Sequence, residues 1–175
     1  AGPPEQLTLA LGADTDPVWS PDGERIVFRS LPRGMPGLFV RQAHAPDAAI
    51  EPLLISDLDE TPSDWRGGTL LFHAPGATGT GIFALDVARG THREVSRRGF
   101  NAFDARWSPD GRRMVYVSDE PGRPDVYVVP WTDTPGSGQT PRQRISFAGG
   151  TRPQWSGDGR SIFFVRDMRL VRTDD

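Results

Sequence analysis

The sequence predicts an all-β chain of four repeated sheets, and three observations carry that prediction. First, 20 Gly and 17 Pro punctuate the 175 residues, about a fifth of the chain against roughly 12% in average usage. That density leaves no room for an uninterrupted three-turn helix. Second, 36% of the residues are hydrophobic, and nine Phe, five Trp and two Tyr supply bulky core surface. The punctuation therefore marks turns and not disorder. Third, Trp19-Ser20-Pro21-Asp22-Gly23 returns as Trp107-Ser108-Pro109-Asp110-Gly111, as Trp155-Ser156-Gly157-Asp158-Gly159, and in reduced form as Trp65-Arg66-Gly67-Gly68. These Trp are separated by 46, 42 and 48 residues, the spacing at which propeller blades repeat.

Each copy carries the same elements in the same order. Pro at the second and Gly at the fourth position fix a hairpin turn, and the Asp beside them accepts N–H groups that the turn leaves unpaired. An apolar strand follows, over 25–28, 69–72, 113–117 and 161–165. After a Gly/Pro/Asp loop comes a second, over 37–40, 81–85, 125–129 and 168–171. Their β-branched and aromatic content suits buried strands. An outer strand ends on Ile55-Ser56, Val95-Ser96 and Ile145-Ser146. The fourth copy lacks one, and Gln6-Leu7-Thr8-Leu9 at the other end of the chain is expected to supply it, which would remove an exposed edge. The expected architecture is a β-propeller of four four-stranded blades forming one domain over 1–175. Its blades lie near 12–56, 57–96, 97–146 and 147–175 plus 5–10. The Trp closing each first strand is expected to bury between neighbouring blades.

These repeats resemble the TolB-type, WD-like β-propeller repeat, whose hallmark is Trp-Ser-Pro-Asp-Gly ahead of an apolar strand. The segment Gly149-Gly150-Thr151-Arg152-Pro153-Gln154-Trp155 also resembles propeller segments attached to bacterial Ser/Thr kinases. The resemblance implies a bacterial, non-enzymatic scaffold in the periplasm or another extracytoplasmic space, binding a protein or peptide partner or sensing a ligand. Related propellers gate substrate entry in prolyl-oligopeptidase-like peptidases or follow a kinase domain, so the alternative is an accessory propeller of a larger enzyme. Family propellers usually have six or more blades. Four blades therefore read as a closed ring, as half of an eight-bladed homodimeric ring, or as part of a longer array.

Composition excludes several classes. Net charge is −3 and the basic residues are scattered, which argues against a nucleic-acid surface. No apolar run approaches the roughly 18 residues that span a bilayer, so no membrane insertion is expected. The opening residues Ala1-Gly2-Pro3-Pro4-Glu5 lack the basic end and apolar stretch of a signal peptide, as an already processed chain would. All 20 basic residues are Arg and there is no Cys, which removes Walker A loops, Schiff-base lysines, thiolate metal sites and Cys nucleophiles. No Gly-x-Ser-x-Gly elbow occurs, Gly136-Ser137-Gly138 being the nearest approach. His44, His73 and His92 form no metal-binding pair.

One constellation points to binding. Three positions before each Trp stand Asp16, Pro62, Asp104 and Arg152, and five before stand Asp14, Glu60, Ala102 and Gly150. If the first strands face a central channel, Asp14, Asp16, Glu60 and Asp104 gather at one mouth with Arg152 among them. Converging carboxylates favour a cationic ligand or a hard cation such as calcium, and no other cofactor is expected. The competing reading makes each Asp a turn cap. Phe100 and Phe103 form a second candidate, either an apolar lip for a peptide partner or packing between blades.

Overall fold

Antiparallel meanders organise the chain in this computed structural model, which describes residues 6–8, 13–31, 34–45, 47–132 and 141–174. The first blade holds β1 (Thr15–Trp19), β2 (Arg25–Ser30), β3 (Gly37–Gln42) and β4 (Glu51–Ile55). The second holds β5 (Thr61–Arg66), β6 (Thr69–Gly76), β7 (Gly79–Asp86) and β8 (Thr91–Glu94). The third holds β9 (Ala102–Trp107), β10 (Arg113–Ser118), β11 (Asp125–Pro130) and β12 (Gln143–Arg144). The fourth holds β13 (Thr151–Trp155), β14 (Ser161–Arg166) and β15 (Arg169–Asp174). Within every sheet the strands neighbour one another in chain order, and no α-helix occurs among the described residues.

Turn chemistry sets the first hairpin of three blades. Ser20 Oγ donates to Asp22 Oδ1 at 2.5 Å and accepts the Arg25 N–H at 2.8 Å, while Gly23, at φ 74°, donates to the Ser20 carbonyl. Ser108 with Asp110, Gly111 and Arg113 repeats this geometry, as does Ser156 with Asp158, Gly159 and Ser161. In each turn the Ser hydroxyl, followed by a backbone N–H, holds the Asp carboxyl below its usual range. The second blade lacks Ser-Pro-Asp and turns through Gly67, at φ 51°, and Gly68.

The hydroxyl that ends the outer strand also has a structural use. Ser96 Oγ accepts the Ile82 N–H on β7 and Ser146 Oγ accepts the Val126 N–H on β11, in each case from the strand beside it. Ser146 further donates to Asp125, a fully buried carboxylate that is also bonded by Arg144 and by the Gly149 N–H.

Blades pack face to face in chain order, because alternation along each strand makes both faces apolar. Trp65, Leu70, Phe72 and Leu85 of the second blade join Val27, Leu38 and Val40 of the first. Trp107, Met114 and Tyr116 join Leu71, Ile82 and Ala84 across the next seam. Trp155, Ile162 and Phe164 join Val115, Val126 and Val128 across the third. Arg25 stacks 5.0 Å from the Trp65 ring centroid and Arg113 stacks 4.9 Å from that of Trp155, so guanidinium groups seal two seams. The main contacts between inner strands run from β1 to β5, β5 to β9 and β9 to β13.

The fourth sheet differs from the expectation of four strands, since three are present among the described residues. Of the segment expected to complete it, Gln6, Leu7 and Thr8 are described and lie outside any strand, while Leu9 falls outside the described residues. The Leu7 carbonyl accepts a hydrogen bond from Arg41 on β3. That guanidinium holds the segment against the first blade.

Candidate functional site

The inner strands β1, β5, β9 and β13 share a break in register. At three of these breaks the residue three before Trp takes a left-handed conformation: Asp16 (φ 55°), Asp104 (φ 54°) and Arg152 (φ 54°). Asp visits this region several-fold more readily than most residues, so both Asp suit a bulge on backbone grounds alone. Pro62 cannot adopt a positive φ, and in β5 the shift lies between Pro62 and Asp64.

Of the five residues expected at one mouth, Asp16 and Asp104 are the two whose charges act on His73. This half-buried imidazole on β6 lies 6.3 Å, centroid to centroid, from the Phe103 ring. Burial lowers its pKa, while the negative charges of Asp104, Asp16 and Asp59 oppose that shift in decreasing order. Asp59 also pairs with Arg29 at 2.5 Å.

The other three differ in exposure and partners. Glu60 is 1% exposed and accepts from Ser56 Oγ. Asp14 lines a cavity of about 170 Å³ with Leu7, Pro17, Ile26, Phe28 and Arg41 on the outward face of the first blade. Arg152 is exposed on β13. Among the described residues no group of three or more His, Asp or Glu could hold a metal ion.

Phe100 and Phe103 diverge. Phe103 meets His73, whereas Phe100 lies under the Arg97 guanidinium at 5.4 Å and lines a cleft with Phe83 and Glu94. The other two imidazoles are also occupied structurally. His44 meets the Gly23 carbonyl at 3.2 Å, and His92 packs edge-on to Phe72 and Phe83.

Among the described residues, large apolar side chains stand exposed on the outer faces of the first and fourth blades. Trp65 and Trp107 are 5% and 8% exposed in their seams, but Trp19, at the same position of the first blade, is 54% exposed. On the far side, Leu170 pairs with Val165 as Leu38 does with Arg29 and Val126 with Val117. Leu38 and Val126 are fully buried, and Leu170 is 74% exposed.

Sequential four-stranded meanders with a Trp-bearing seam between each pair define this chain as an array of β-propeller blades. No protein-family model matches it. A curated relative, the protein TolB homolog of Chlorobium luteolum, is 30% identical over 137 residues, which is 77% of this chain and 30% of that protein. The crystal structure of TolB from Acinetobacter baumannii matches with a TM-score of 0.78 at 22% identity, over 93% of this chain and 41% of that one. The repeats of this chain are TolB-type β-propeller repeats. A puromycin-hydrolyzing peptidase of Mycobacterium tuberculosis matches in fold with a TM-score of 0.70 at 22% identity, over 93% of this chain and 30% of that one. The chain thus spans less than half of the length of each of these proteins. No helix among its described residues is long and apolar enough to cross a membrane.

Proposed function

We propose that these blades form a non-enzymatic, extracytoplasmic module that binds other proteins, as the TolB likeness suggests. The observation that carries this reading is the open blade face at Trp19. It exposes Trp19 at the repeat position that buries Trp65 and Trp107 in their seams, and large aromatics are enriched at binding hot spots. The test is site-specific photocrosslinking from position 19 or 170 in the full-length protein within its own cells. A crosslink to a separate envelope protein is the expected result. Crosslinks confined to the protein's own chain at both positions would overturn the reading.

A second reading makes the blades an accessory propeller of a larger enzyme, and the fold match to a propeller peptidase supports it. The same crosslinking separates the two, because an accessory propeller would join to a catalytic domain of its own chain.

A further inference from the structure

The seam between the second and third blades opens at its outer end into a cavity of about 440 Å³, within the size range of small-molecule sites. Both blades build it. Arg93 on β8 and the residues that follow, including Arg97 and Arg98, form one side; Tyr116 on β10 and Trp131 after β11 form the other, and Arg142 lies ahead of β12. Four guanidinium groups therefore border one cleft whose opposite wall is aromatic.

Among the described residues their counter-charges number two. Arg98 pairs with Glu94 at 2.7 Å, and Glu120 is shared by Arg142 at 2.5 Å and Arg97 at 3.5 Å. Arg93 instead lies 4.9 Å from the Trp131 ring centroid and donates to the Thr132 carbonyl at 2.8 Å. Guanidinium groups thus outnumber carboxylates among the described residues of the cleft. Apolar walls strengthen their field over its value in water. Burial pushes the Tyr116 hydroxyl up to about 12, so it remains a protonated donor at neutral pH.

We propose that this cleft binds a small organic anion, a carboxylate or phosphate ester carrying a flat apolar body, with the arginines taking its charged head and the Trp131 wall taking its body. Guanidinium groups suit either head because their planar fork matches carboxylate and phosphate oxygens. The site is separate from the Trp19 face, so its failure leaves the reading above untouched.

Calorimetric titration of the protein with 1-naphthyl phosphate, 1-naphthoate, neutral 1-naphthol and inorganic phosphate tests this. Both naphthyl anions should saturate at one per chain below roughly 1 mM, with inorganic phosphate weaker and naphthol at least about tenfold weaker. The tighter of the two anions identifies the head group. Arg93→Gln should weaken the anions about tenfold, the loss of one charge-assisted hydrogen bond. Arg98→Gln, at a mostly exposed side chain, should weaken them less. Arg25→Gln, on a different seam, should change nothing, and melting curves check that each variant folds. Equal binding of naphthol, undiminished binding in a folded Arg93→Gln, or no saturation by either anion would overturn the proposal.

Discussion

The Asp64 carboxylate accepts the backbone N–H of Trp107 at 2.7 Å and that of Trp65 at 2.9 Å, so one side chain ties inner strand β5 to inner strand β9. Burial raises its pKa, against the pull of those bonds and of Arg106. An amide oxygen replaces two acceptors by one, so Asp64→Asn leaves one N–H unpaired and should cost about 1–3 kcal/mol. Urea denaturation at pH 7 measures this, and an unchanged midpoint would refute it. The sign of the pH effect follows from the raised folded pKa. Asp64 opposes folding increasingly as pH rises from 3.8 through the raised value, and that slope should vanish in the variant.

Trp65 and Trp19 occupy one repeat position in opposite surroundings, buried in a seam and 54% exposed. Trp65→Ala should destabilise by about 3–5 kcal/mol, the usual cost of emptying a large aromatic site. Trp19→Ala should cost about 1 kcal/mol or less, in the range of surface changes. Comparable losses in guanidinium melts would show that the first blade buries its Trp in solution.

His73 is expected to be neutral at pH 7, since burial lowers its pKa below 6.5. Stability should therefore fall as pH drops from 6.5 through the lowered value, because the unfolded chain takes the proton first. Asp104→Asn removes the largest opposing charge and should lower the imidazole pKa further. Proton NMR titration of the ring resonances reads both effects, and an unmoved or raised value in the variant would contradict the placement of Asp104.

Much of the fold was legible because the information is local. Trp-Ser-Pro-Asp-Gly encodes its own hairpin through the Ser20, Asp22 and Gly23 bonds, and the repeat places β2, β6, β10 and β14 after each turn. The placement of Gln6, Leu7 and Thr8 was not legible, because the hydrogen bond that Leu7 accepts comes from Arg41, more than 30 residues away. Spacing picked out Asp16, Asp104 and Arg152, which prove to be left-handed positions at breaks in the inner strands, whereas the bond from Ser56 to Glu60 and the cavity beside Asp14 depend on contacts that spacing does not encode. His73 was noted without a functional role because nothing local marks one, and the charges that act on it come from three separate segments. The arginine-bordered cleft was not read from the sequence, where the basic residues look scattered, because Arg142 joins Arg93, Arg97 and Arg98 from 44 residues away.

Serial stacking of the blades has a kinetic consequence. Among the described residues the second and third blades pack on both faces and the first and fourth on one, so local opening costs more in the middle pair, as in linear repeat arrays. Amide hydrogens of β6 and β10 should exchange with deuterium more slowly than those of β2 and β14, although all four strands are second in their sheets. Within these four sheets, opening would begin at β2 and β14 and reach β6 and β10 last.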